Sequence, residues 1–212
     1  MERKTFGPIG CAALAAALIT TPALAQSAQE RGVFVAQIGD GNRTDVTQQN
    51  TDSLARLVQN GNDNRADLAQ NGDAPHSAQI AQDGDGNIVG ALQDGDGSTE
   101  LTLLQEGNGN SVTVLQRETS SGERTGAEIL QRGNGNSIAL TQDGSDNSAR
   151  LDQQGDGNAM TASQIDSGNR LAWSQIGDGL TDLRIEQQGG ATLEITQSVT
   201  GAQFAPPPGS GG

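Results

Sequence analysis

Glutamine recurs along this chain in near-constant phase, and no other feature restricts its possible folds as much. It stands at Gln37, Gln48, Gln59, Gln70, Gln82, Gln93, Gln105, Gln116, Gln131, Gln142, Gln153, Gln164, Gln175, Gln187 and Gln197. Most steps are 11 residues, three are 12, the last is 10 and one is 15, where a four-residue insertion falls between Arg117 and Gly126. A fixed short period is the mark of a repeat architecture and not of independent domains.

The residues around each glutamine say what the unit is. Two positions before it the residue is always apolar, from Val35 and Val46 to Ile185 and Ile195, and four before it is apolar in all but Thr44. Three before, polar residues such as Asp45, Arg56, Asp67, Thr102 and Arg150 prevail. Spacing by two is a strand with one buried face. Two positions after the glutamine glycine is usual, as at Gly39, Gly61, Gly84, Gly107 and Gly155, within strings such as IGDGN and DGDGN. Glycine, Asn and Asp tolerate the positive φ of a tight corner. Each unit is therefore a short strand and a corner.

A second periodicity doubles the repeat. Five positions after alternate glutamines stand Asn42, Asn64, Asn87, Asn110, Asn136 and Asn158, and the intervening units carry Ser53, Pro75, Ser98, Ser121, Asn147 and Asn169. The expected fold is all-β: a β-solenoid with two strands and two corners per coil of about 22 residues, and roughly seven coils. Such a coil cannot satisfy its backbone alone; stacking at about 4.8 Å, as in amyloid cross-β, pairs the backbone and aligns like side chains in columns. Amides suit those columns because each carries donor and acceptor. The glutamines form the expected structural ladder, and the six alternate asparagines a corner ladder.

Composition limits function. Residues 1–25 read as a secretory signal, with Arg3 and Lys4, an apolar run from Cys11 to Ile19 and the small-residue site Ala23-Leu24-Ala25. Residues 26–32 form a short N-terminal segment, 33–200 the repeats and 201–212 a Pro/Gly-rich tail expected to be disordered, with Pro206-Pro207-Pro208 unable to donate ladder bonds. The exported part holds 10 Arg, no Lys and 25 Asp plus Glu, a formal charge of −15, which argues against nucleic acid as a partner. Its only cysteine, Cys11, lies inside the signal, so no thiol remains for a disulfide, a metal site or catalysis. No segment is long and apolar enough to span a bilayer.

Other candidate chemistry is weak beside its structural explanation. His76, the only histidine, sits next to Pro75 and reads as a loop residue; no triad or general base is supported, and no cofactor is implied. Trp173 occupies an inward position and reads as packing. Calcium is the competing reading of the DGDGN strings, but turn chemistry explains them and the spacing fits neither a nine-residue calcium roll nor an EF-hand. Val58, Ala81, Leu104 and Leu130 form an outward column, read either as a lateral contact between stacked assemblies or with another surface, or as tolerated exposed aliphatics. Asp40, Asp63, Asp85 and Asp156 are expected to align and repel, so that salt or acid speeds association. Neither end shows a folded cap.

The spacing Q-x-G-x-x-N-x-A-x-x-x-Q resembles the curlin repeat. Gln59, Gly61, Asn64, Ala66 and Gln70 fit it fully; Gln37 to Gln48, Gln82 to Gln93, Gln105 to Gln116, Gln131 to Gln142 and Gln153 to Gln164 fit with another residue in the alanine slot. The resemblance implies a subunit of curli, extracellular bacterial amyloid fibres that serve biofilm matrix and adhesion. It implies self-association, a second curlin-type subunit and an outer-membrane curli secretion machinery as partners, and passage through the periplasm. A minor nucleating or surface-anchoring subunit carries the same repeat, and a monomeric calcium- or surface-binding solenoid adhesin is the other alternative. This chain departs from the family in its short segment before the first strand and in having more coils than is usual.

Overall fold

The computed structural model describes residues 31–199 and 201–205. The signal reading of 1–25, most of the 26–32 segment and the Pro206-Pro207-Pro208 tail lie outside the described residues. Among the described residues sixteen strands form two sheets, β1 to β15 alternating between them and β16 joining the first. The first sheet holds β1 (Gly32–Ile38), β3 (Leu54–Asn60), β5 (Ser77–Asp83), β7 (Ser98–Glu106), β9 (Arg124–Arg132), β11 (Ser148–Gln154), β13 (Arg170–Ile176), β15 (Thr192–Ser198) and β16 (Gly201–Ala205), in that order. The second holds β2 (Arg43–Gln48), β4 (Arg65–Gln70), β6 (Ile88–Gly95), β8 (Ser111–Glu118), β10 (Ser137–Gly144), β12 (Ala159–Ile165) and β14 (Ile185–Gln188).

All pairings are parallel except β15 with β16. Glutamine lies over glutamine in every parallel register, as Gln37 over Gln59 and Gln59 over Gln82. The chain is a β-solenoid of about seven turns, and its coils are 22, 23 or 26 residues long.

The core is one thin layer. Leu57, Ile80, Leu103, Ile129, Leu151, Trp173 and Ile195 come from the first sheet and Leu68, Ala91, Val114, Leu140 and Ala162 from the second, all buried. Alanine at 55, 66, 78, 127 and 149 keeps the layer thin. A register slip of one residue would turn this set to solvent and the charged face inward, so the period-2 pattern fixes the stacking. The four-residue insertion widens the corner between β8 and β9, and the alternation of sheets continues past it.

Two expectations are corrected at the C-terminal end. The segment from 201 onward was expected to be disordered, but Gly201–Ala205 form β16, folded back antiparallel on β15. The solenoid therefore has a capping strand at one end, where none was expected. The last strand of the second sheet is also cut short: Leu183, four before Gln187, continues the apolar pattern, yet β14 begins only at Ile185.

Candidate functional site

The glutamine columns are continuous amide ladders. In the first sheet Gln37 Nε2 donates to Gln59 Oε1 at 2.6 Å, and the chain of bonds runs through Gln82, Gln105, Gln131, Gln153 and Gln175 to Gln197 Oε1 at 3.0 Å. In the second it runs from Gln48 through Gln70, Gln93, Gln116, Gln142 and Gln164 to Gln187, with bonds of 2.6–3.1 Å. Many pass their other N–H to a backbone carbonyl, as Gln116 does to Glu100 O at 3.0 Å. Every ladder points the same way, each N–H toward the C-terminal neighbour.

At the first corner Asn42, Asn64, Asn87, Asn110, Asn136 and Asn158 form the second ladder. Each Oδ1 accepts the backbone N–H of the residue one coil on, and each Nδ2 donates to a glycine carbonyl, Asn87 to Gly107 O at 2.7 Å for example. These side chains satisfy backbone groups that the tight corner would otherwise bury unpaired.

The second corner differs from the sequence reading. Its buried column is Ser53, His76, Thr99, Thr125, Asn147 and Asn169, so Pro75, Ser98 and Ser121 do not belong to it. Inserted residues fall in this corner, so counting forward from the preceding glutamine lands short. Counting six back from the following glutamine finds every member of both corner columns. A buried acid missed by the sequence reading stabilises the insertion: Glu118 accepts from Ser120 N, Thr125 Oγ1 and Asp146 N at 2.9–3.0 Å.

His76 is not an open-loop residue. It is 1% exposed, its Nδ1 faces Thr99 N at 3.3 Å, and its Nε2 lies 2.5 Å from Asn71 O. The carbonyl fixes the tautomer, with Nε2–H donating and Nδ1 accepting from Thr99 N–H. Burial lowers its pKa below 6.5, opposed by the Asn71 hydrogen bond and the negative charge of Asp94. A histidine with a depressed folded pKa contributes stability that is complete above the unfolded value and is lost as pH falls through the folded one. The solenoid is expected to lose stability as pH is lowered below 6.5, and His76→Asn, matching the asparagines lower in the column, to remove that part of the loss. Urea midpoints across pH for both chains measure it.

The corner acids do not align as expected. Asp40 stacks on Asn62, Asn62 on Asp85, Asp85 on Asn108, Asn134 on Asp156 and Asp156 on Asp178, each backbone N–H bonded to the next Oδ1. Asp63 lies one residue further along, over Gly41. Only Asp156 and Asp178 are adjacent in this column, so like-charge repulsion there is smaller than the sequence implied. Elsewhere ion pairs such as Arg132–Glu106 and Arg150–Glu128 bridge neighbouring coils.

Val58, Ala81, Leu104 and Leu130 lie in one register column on the outer face of the first sheet, half-buried. The column ends in polar Asp152. The second sheet carries a matching column, Ala69, Leu92 and Leu115, which the sequence reading did not single out. Trp173 is buried in the core at 1% exposure, and its Nε1 has no hydrogen-bond partner.

Among the described residues no group of His, Cys, Asp or Glu is placed to hold a metal ion, and no helix is long and apolar enough to cross a membrane. No curated protein and no solved structure matches the chain. The curlin associated repeat matches at residues 122–155 and 133–165, the stretch that holds Gln131, Gln142, Gln153 and Gln164. The ladder register of that stretch continues without change of phase from Gln37 to Gln197. Residues 122–165 of the chain thus carry the curlin associated repeat.

Proposed function

We propose that this chain is a structural subunit of extracellular curli-like amyloid fibres, exported with residues 1–25 as its signal and assembled by stacking one solenoid on the next. The observation that carries this reading is the polarity of the first-sheet ladder. Gln197 accepts from Gln175 and gives one N–H to Thr181 O, leaving its second N–H with no glutamine above it among the described residues. At the other end Gln37 donates to Gln59, and no glutamine donates to its Oε1 among the described residues. A second copy seated with Gln37 on Gln197 would continue the ladder in sense and register.

The N-terminal end supports the same reading. Val33, Phe34 and Val35 are 46–47% exposed, and among the described residues no strand pairs with the outer edge of β1 or β2. An open edge with apolar side chains is a template for another strand. A structural role fits ladders that consume nearly all buried polar groups, and the curlin repeat carries biofilm matrix and adhesion as the associated roles. A second curlin-type subunit and the outer-membrane curli secretion machinery are the partners this reading requires. Incubating the chain from residue 26 with thioflavin T tests it: growth that accelerates on seeding supports fibre assembly, and a persistent monomer contradicts it.

A further inference from the structure

Three contacts close the C-terminal end of the solenoid and have no counterpart among the described residues of the N-terminal end. β16 lies antiparallel on the outer edge of β15, from Ser198 opposite Gly201 to Glu194 opposite Ala205. Asp182 closes the edge of β12 that the shortened β14 leaves open, accepting from Thr161 N at 3.0 Å and Thr161 Oγ1 at 2.6 Å. Gln187 gives its N–H groups to Arg170 O and Ala191 O at 2.9 and 3.1 Å, so the second-sheet ladder stops there.

We propose that β16 is a removable cap, and that a fibre grows at this end only when β16 leaves β15 and the β1 of a second copy takes its place. The inference rests on the assembly reading above. An antiparallel strand satisfies the edge of β15 but cannot carry the parallel register onward, so β16 and an incoming β1 compete for one set of backbone groups. In the register of the solenoid, the incoming Val35 would lie over Ile195, where Phe204 now lies opposite. Ile195 is 1% exposed and Phe204 58% exposed, so the exchange trades a half-wet cover for a buried one.

The two sheets respond differently to the exchange. The first has eight parallel strands and the second seven, so a copy seated on β15 leaves one strand position empty above β14. Asp182 already accepts from Thr161 of β12 and Ala191 O from the Gln187 side chain of β14, so neither of these donors is free for an incoming strand. The joint between copies therefore runs through the first sheet alone, the sheet whose ladder still has a donor to pass on.

Three altered chains test the cap in elongation from preformed wild-type seeds. Ending the chain at Val199, or introducing Gln203→Pro to remove a ladder N–H from β16, is expected to speed elongation about tenfold, because the binding-competent edge is then always exposed. Thr196 and Gln203 face each other across β15 and β16, and the chain from residue 26 has no cysteine of its own. The pair Thr196→Cys with Gln203→Cys, oxidised, is expected to stop elongation and to recover the wild-type rate on reduction. An oxidised pair that elongates as fast as the reduced one, or a chain ending at Val199 with an unchanged rate, would overturn the cap while wild-type growth leaves the assembly reading standing. If neither wild type nor any variant forms fibres, the assembly reading fails and the cap fails with it.

Discussion

Replacing Gln105 with leucine is expected to destabilise the solenoid by about 4 kcal/mol, although the volume of the side chain hardly changes. Gln105 is wholly buried at the middle of the first-sheet ladder. It accepts from Gln82 Nε2 and donates to Gln131 Oε1, both at 3.0 Å, and also reaches Ile88 O at 3.4 Å. Leucine would leave the Gln82 N–H and the Gln131 carbonyl oxygen without partners, each costing about 1–3 kcal/mol when buried away from water. A ladder also polarises along its length, so the loss is felt beyond the two neighbours. The outward neighbour gives the contrast: Thr102→Ala, on the polar face of the same strand, is expected to change stability by less than about 0.5 kcal/mol. Urea unfolding of monomeric chains compares them, and equal midpoints would show that the ladder does not hold the coils together.

Gly107→Ala and Gly109→Ala, two residues apart in one corner, are expected to differ by about 3 kcal/mol. Gly107 has φ +111°, and a Cβ there would lie 2.0 Å from Gly133 O of the next coil. That carbonyl accepts from Asn110 Nδ2 at 2.8 Å, so it cannot withdraw without breaking the corner ladder. Backbone strain of about 1–3 kcal/mol adds to a collision of similar size. Gly109 also has positive φ, +65°, but a Cβ meets nothing within 4 Å, so alanine there carries only the left-handed backbone cost of about 1–2 kcal/mol. Gly39, Gly61, Gly84, Gly133 and Gly155 repeat the same close approach up the stack. The glycine of the repeat is thus a packing requirement between coils as well as a turn requirement within one.

The strands were legible because one residue type marks the same point in each. Glutamine with an apolar residue two and four positions earlier fixes the inward face, and nothing in the core layer departs from it between Ala55 and Trp173. The first corner was legible for the same reason, since its asparagines keep a constant distance from the glutamines on both sides. The second corner was misread at His76, Thr99 and Thr125 because its inserted residues precede the buried column; only the distance to the following glutamine is constant. The column also mixes serine, histidine, threonine and asparagine, and what unites its members is burial; His76 and Thr125 each also accept a backbone N–H from the next coil.

The C-terminal end was illegible for a different reason. Local pattern placed a full strand at Leu183 to Gln187, but Arg184 adopts φ +48° and Asp182 turns to cap Thr161. That choice depends on an edge N–H presented by a strand 21 residues away, which no local window contains. Likewise the short run Gly201–Ala205 has little strand character of its own and is ordered by the edge of β15.

Diffraction from aligned fibres of the chain beginning at residue 26 tests the central claim most directly. Stacked solenoids predict a sharp meridional reflection near 4.8 Å along the fibre axis, from coils repeating in that direction, and a diffuse equatorial one near 10 Å from the two facing sheets. Fibres lacking the 4.8 Å meridional reflection, or carrying it at right angles to the fibre axis, would contradict end-to-end stacking of this solenoid.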